Sequence, residues 1–284
     1  MMSSKITESA VVINSSGAQL MGILHRPSPA VKTAVLIVVG GPQYRVGSHR
    51  QFVQLSRSLA KANIASLRFD YTGMGDSEGD KKSFENISDD IKAACDLLCE
   101  ELGIDSVVIW GLCDAASAAM IYAPQDNRVK GLFLLNPWLR NDAAMGKTML
   151  KYYYVQRLLS KEFWSKLFRG KVNVAGSIGD AKGFVSDSVS SQDNQQQSYQ
   201  AQMQQGLQAF SGKVCLVLSG VDLTAKEFEQ QTLNNKAWKK LKSSDSTVHR
   251  ISKADHTFSS KEFKQEVENY TIEFIKHNEF SGVN

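Results

Sequence analysis

The chain has 284 residues, 42% of them hydrophobic and 22% charged, an ordinary globular composition that argues against global disorder and suits one large α/β domain with an insertion. Its formal net charge of +4 is spread along the chain and too weak to argue for nucleic acid. Apolar runs such as residues 34–39 fall far short of the ~20 residues a membrane span needs, and the start MMSSKITESAVVIN has no stretch of signal-peptide length, so a cytoplasmic protein without a membrane span is expected.

Apolar runs and helical patterns then alternate. Residues 9–14 and 19–25 flank the turn SSGA and predict an antiparallel hairpin. TAVLIVV (33–39) is a continuous apolar run followed by GGP, the mark of a strand buried on both faces. Residues 50–62 space Phe52, Leu55, Leu59 and Ala62 at helical intervals. IASLRF (64–69) predicts a strand, residues 86–102 a helix with Ile87, Ile91, Cys95 and Leu98 on one face, and SVVIW (106–110) a strand turning sharply into the helix GLCDAASAAMIYA. VKGLFLLN (129–136) is the next strand.

The alternation stops over residues 138–212, which are rich in aromatic and basic residues and contain the polar tract SSQDNQQQSYQAQMQQ. That tract reads as a solvated helix, with Met203, Leu207 and Phe210 at helical spacing, or as a mobile loop. Strand VCLVLSG (214–220), a helix at 225–241, strand STVHRIS (246–252) and a helix at 260–277 complete the chain. The pattern predicts an α/β fold with a mainly parallel eight-stranded sheet and helices on both faces. It divides the core into residues 1–137 and 213–284 around a helical cap insertion at 138–212.

In such sheets ligands bind at the carboxyl ends of the strands. SVVIW runs into Gly111-Leu112-Cys113-Asp114-Ala115 and then a helix, the strand-turn-helix setting of the G-x-S-x-G nucleophile elbow with Cys for Ser and Ala for the second Gly. The elbow strains its central residue, so its neighbours two away must be small, as Gly111 and Ala115 are. A thiol there sits at a helix N-terminus, which favours thiolate. The other reading of Cys113 is a buried structural thiol, as expected for Cys95, Cys99 and Cys215.

Asp222 follows VCLVLSG, where an acid can orient a histidine, and the alternative role of opening the next helix falls to Thr224, which has capping-box spacing to Glu227. His256 lies just before the last helix, which completes the order nucleophile, acid, histidine. Gly40-Gly41-Pro42-Gln43 ends the third strand, where an oxyanion donor is expected. Pro42 has no N–H, so the Gln43 amide is the candidate, paired with that of Asp114. Tyr44, Arg45 and His49 follow in the same loop and are candidates for facing a polar or charged substrate, or are an ordinary solvated loop. Phosphate-loop patterns fail, no His/Cys/Asp/Glu cluster suggests a metal, and no cofactor is implied.

VVGGPQYRVGSHRQF, RFDYTGMGDSEG, WGLCDAASAAMIYAP, LLNPW, LSGVDLTAKEF and ADHTFS together resemble the exosortase A system-associated hydrolases of the first type, an α/β-hydrolase family encoded beside exopolysaccharide and protein-sorting genes in Gram-negative bacteria. The resemblance spans nearly the whole chain and implies Cys113, Asp222 and His256 as a triad; the family often has Asn where Val221 stands. It supplies no substrate. The expectation is a Cys-dependent acyl hydrolase, thioesterase- or esterase-like, or an acyltransferase. Its partner would be a small-molecule ester or thioester, plausibly an acyl group on an exopolysaccharide precursor. The competing reading is a non-catalytic binding or redox-sensing protein of the same fold.

Overall fold

The structure is a computed structural model, and it describes residues 6–28, 32–140, 198–278 and 280. Eight strands form one sheet: β1 (Thr7–Ser15), β2 (Ala18–Arg26), β3 (Thr33–Val38), β4 (Ala65–Phe69), β5 (Ser106–Leu112), β6 (Val129–Leu135), β7 (Lys213–Ser219) and β8 (Ser246–Ile251). Their order across the sheet is β1-β2-β4-β3-β5-β6-β7-β8. The leading hairpin pairs antiparallel and joins β4 antiparallel; every other pairing is parallel.

The burial of each strand follows its sequence pattern. β4 and β5 are buried along their whole length, and β3 at all but its first residue, because helices cover both faces. β1 alternates or lies exposed, as an edge strand covered on one side does. The helices are α1 (Gln51–Lys61), α2 (Ser88–Leu102), α3 (Asp114–Tyr122), α4 (Tyr199–Ala209), α5 (Leu223–Thr232) and α6 (Lys261–His277). α1 packs with α6, and α2 and α4 each pack with α3. α2 stops at Gly103, whose φ of 63° is the left-handed geometry that glycine adopts without strain.

The core beneath α1 and α6 is built on Trp110. Phe52 of α1 meets its ring edge-on at 5.5 Å, Phe133 of β6 lies parallel to it at 6.4 Å, and Phe274 of α6 meets Phe133 at 5.9 Å. The indole N–H donates to Thr271 Oγ1 at 3.3 Å, so the ring's polar atom is satisfied inside the core.

Two expectations are corrected. The single helix read over 225–241 is α5 followed by a separate 3₁₀ turn, Lys236–Lys242, because Asn235 caps a new start by accepting the Ala237 N–H at 2.9 Å. The tract read as a solvated helix or mobile loop is helical from Tyr199, but it buries Met203, Gly206 and Leu207 against α3 rather than standing in solvent. The cap expected over 138–212 lies outside the described residues from 141 to 197.

A polar row crosses the hairpin from an exposed end to a buried one. Glu8, His25 and Ser66 are successive cross-strand partners on β1, β2 and β4. Glu8 pairs with Arg57 and Arg68 at 3.1 Å each, and Arg68 Nε donates to His25 Nε2 at 3.3 Å. His25 is fully buried, its Nδ1 has no partner, and desolvation pulls its pKa down to about 4 against the opposing charge of Glu8. A neutral folded-state histidine stabilises above the unfolded pKa of 6.5, and that contribution is lost as pH falls through about 4. The wild type is therefore expected to lose on the order of 3 kcal/mol between pH 7 and pH 4 from this group. Unfolding midpoints of His25→Gln against pH should lack that component.

Candidate active site

The chain runs β3–α1–β4 to one side of β3 and then crosses to β5 on its other side. The loops leaving β3 and β5 therefore diverge, and a crevice opens at their carboxyl ends. Cys113 stands there between β5 and α3, with φ 63° and ψ −125°, a conformation that costs a non-glycine residue of order 1–3 kcal/mol. Main-chain bonds hold it: its N–H donates to the Leu135 carbonyl at 2.9 Å, and its carbonyl accepts from Trp138 N–H at 3.2 Å.

The small neighbours are a steric necessity. A Cβ on Gly111 would lie 2.7 Å from the main chain of Ala115 and Ala116, and one on Gly40 would lie 2.6 Å from the Leu112 carbonyl and meet the Asp114 carboxylate. Asp114 accepts the Gly41 N–H at 2.7 Å, which ties the loop after β3 to the first turn of α3. Burial raises the Asp114 pKa, opposed by the amides it accepts.

Asp222 and His256 come together from the ends of β7 and β8. His256 Nδ1 lies 2.9 Å from Asp222 Oδ2. The bond to Asp222, then an interaction with the Cys113 sulfur, push the imidazole pKa up to about 10 against desolvation. With Nδ1 on the acid, Nε2 is the nitrogen left for the sulfur. Ala254 and Phe258, both buried in the core, anchor the loop on either side of His256.

The structure reassigns the cap of α5. Thr224, expected to open that helix, lies inside its first turn; the N-cap is Asp222, which accepts the N–H groups of Thr224 at 3.3 Å and Ala225 at 3.0 Å. The same Oδ2 serves Ala225 and His256. The capping-box spacing hid this because it reads only local partners.

The other expected site residues lie on the loop after β3. The Gln43 N–H turns back to the Gly40 carbonyl at 3.3 Å, a long bond, and its side chain accepts the Ser48 N–H at 3.1 Å. Tyr44 is exposed. Arg45, a candidate for facing substrate, has its guanidinium on Asp70 and Asp76 instead, and its N–H donates to Asp70 at 2.5 Å. His49 and Arg50 are successive residues of left-handed φ, 51° and 59°, and the Asp255 carboxyl nearby is held below its usual range, against burial, chiefly by the Ser259 hydroxyl and N–H. Neither the Asp70 clamp nor the buried amide of Asn136 at the end of β6 is marked by any motif.

The sequence matches the alpha/beta hydrolase fold family over residues 33–262. No curated protein matches it. Among solved structures, an esterase of Pyrococcus furiosus, Pf2001, is similar at 16% identity with a TM-score of 0.65, over 98% of this chain and 92% of that one. A dienelactone hydrolase of Anabaena variabilis gives 15%, 0.62, 96% and 98%. Est1E of Butyrivibrio proteoclasticus, solved with ferulic acid, gives 17%, 0.61, 94% and 100%. At these identities the likeness is one of fold.

Asp222→Asn separates the two tasks of the acid. Asn caps helices as well as Asp, so stability should hold within about 1 kcal/mol. An amide oxygen at the Oδ2 position still serves both the Ala225 N–H and Nδ1, but it carries no charge to hold the imidazole proton. Histidine NMR titration should show the His256 pKa falling from about 10 toward 6.5, while the thermal midpoint barely moves.

Proposed function

The chain belongs to the alpha/beta hydrolase fold family, and on that premise we propose that it is an acyl hydrolase or acyltransferase that works through a thioester on Cys113. The observation that carries this reading is the strained Cys113 beside an imidazole that is hydrogen-bonded to Asp222 and whose pKa the Cys113 sulfur also raises.

In the proposed reaction His256 holds the proton of the Cys113 thiol, and the sulfur attacks the substrate carbonyl. The oxyanion takes the amides of Asp114 and Gln43, replacing the long bond from Gln43 to Gly40; one such donor is worth roughly 3–4 kcal/mol in a comparable enzyme. His256 returns its proton to the leaving oxygen or sulfur as that bond breaks. Water or an acceptor hydroxyl then attacks the thioester, gives its proton to His256, and releases Cys113. A thiolate leaves as readily as it attacks, which suits activated esters, lactones and thioesters over amides.

Five large hydrophobics are exposed among the described residues, and three sit on loops of this site: Tyr44 after β3, and Val221 and Leu223 on either side of Asp222. An apolar rim accords with an acyl substrate. Tyr44 and His49 remain the proposed substrate contacts, and Arg45 acts through the loop it fixes. The resemblance to exosortase A system-associated hydrolases directs the substrate search to acyl groups on exopolysaccharide precursors, in a cytoplasmic setting.

The test is the rate of iodoacetamide labelling of each cysteine against pH. Burial raises the thiol pKa of Cys95, Cys99 and, to about 12, Cys215, which sets a slow internal reference. Cys113 should alkylate fast at pH 6–7, below a free thiol's pKa near ~8.5, and slow in His256→Ala. Cys113→Ala should abolish turnover of acyl thioesters. A Cys113 that labels no faster than Cys99 and ignores the His256 substitution would leave a binding or redox-sensing protein instead.

A further inference from the structure

At the end of β6 the chain passes through Asn136, fully buried and at a left-handed φ of 42°, just before Pro137. Asparagine is among the few residues that take this φ readily. Its amide is fully engaged. Nδ2 donates one hydrogen to Ser219 Oγ at 2.7 Å and the other to the His256 carbonyl at 2.9 Å. Oδ1 accepts the Ser219 N–H at 2.8 Å. Ser219 Oγ, having accepted from Asn136, donates to the Asp255 carbonyl at 2.7 Å.

The directions of these bonds leave no slack. Two carbonyls, of Asp255 and His256, are the terminal acceptors, and only an amide at 136 supplies two hydrogens and an acceptor at once. Ser219 ends the strand that leads into Asp222, and the main chain of Asn136 also joins that strand, its N–H donating to the Val217 carbonyl at 3.1 Å. The β6 end is bonded in turn to the nucleophile turn through Cys113 N–H and Leu135 O. One buried amide thus links the strand end beside the nucleophile, the strand leading to the acid, and the main chain of the histidine.

We propose that Asn136, with Ser219, is a positioning residue that sets where the His256 ring stands between Asp222 and Cys113. This rests on the triad reading above. A loop anchored only by Ala254 and Phe258 has its apolar residues fixed but two part-buried carbonyls unpaired, and unpaired carbonyls pull the main chain toward other donors. A displacement of about 1 Å at a reacting group can cost around a hundredfold in rate.

The experiment is the pH profile of Cys113 alkylation by iodoacetamide in the wild type, His256→Ala, Asn136→Asp and Ser219→Ala, with thermal unfolding of each. Aspartate tolerates the left-handed φ and keeps the shape but donates at most one hydrogen. Asn136→Asp should lower the Cys113 rate at pH 6.5 by about tenfold or more, toward that of His256→Ala. At pH 10, where any accessible thiol is ionised, it should match the wild type within about twofold. A purely structural residue would lower the melting temperature and leave the ratio of the two rates unchanged, and that result overturns the proposal. If Asn136→Asp does not fold, Ser219→Ala decides: the same change of ratio, smaller in size, supports the proposal, and a wild-type ratio overturns it. If wild type and His256→Ala do not differ, the triad fails first and takes this proposal with it; if they differ and Asn136→Asp follows the wild type, the positioning role alone fails.

Discussion

The site depends on a reversal made by one residue. β5 has ladder partners on both sides and is buried throughout, and α3 lies buried against the same sheet, so neither can shift to ease the turn between them. Cys113 absorbs the whole change of direction at φ 63° and ψ −125°. The strain is held by main-chain bonds to Leu135 and Trp138 and by the absence of a Cβ at Gly111. Because both elements are rigid, the side chain is projected over the first turn of α3 at one height and in one direction. The loop after β3 then has to fit against that turn, and the bond from Gly41 N–H to Asp114 is how it does.

Against this fixed point the acid and the base must be brought from the far side of the sheet. Asp222 is placed by the helix it opens: two amides of α5 fix its carboxylate, and the oxygen that takes Ala225 also takes His256. The helix start thereby fixes the His256 contact, since the carboxylate cannot rotate away from the imidazole without losing its capping bonds. The histidine loop is held differently. It has no helix of its own at that point, so Ala254 and Phe258 sink into the core while carbonyls 255 and 256 are taken by Ser219 and Asn136.

All eight strands, and the strand-end positions of Cys113, Asp222 and His256, were legible in the sequence for a physical reason. Strands buried on both faces read as continuous apolar runs, and the residues that follow them land at one edge of the sheet. What was hidden depended on partners distant in sequence. Asp222 as a cap is an exception, since its capping partners Thr224 and Ala225 are local and the spacing of Thr224 to Glu227 drew the assignment away from it. Arg45 looked like a solvated or substrate-facing charge because its partner Asp70 follows β4, and only the adjacency of β3 and β4 brings them together. Asn136 and Ser219 lie inside the strands read at 129–136 and 214–220, where nothing local marks a polar residue near a strand end as a link to residues 36 to 120 positions away. The break after Thr232 turned on Asn235 capping a new turn, a choice the helical periodicity of 225–241 does not reveal.

The protonation of His256 also bears on why a thiol suits this place. In the proposed reaction, an imidazole whose pKa is pushed up to about 10, first by Asp222, is a strong proton acceptor, which favours a nucleophile that gives up its proton before attack. A serine hydroxyl, far weaker as an acid, would keep its proton until the moment of attack. The same coupling works in reverse after attack. Asp222 and the Cys113 sulfur both hold the imidazole proton, and a sulfur tied up as a thioester no longer carries charge. His256 then loses one of the two groups that favoured its proton, having just given that proton to the leaving group. It is left as a neutral base beside the acyl group, ready to accept from water or an acceptor hydroxyl. In the proposed reaction this change at the sulfur is superimposed on the larger, constant effect of Asp222, and one histidine serves as acid in the first half and base in the second.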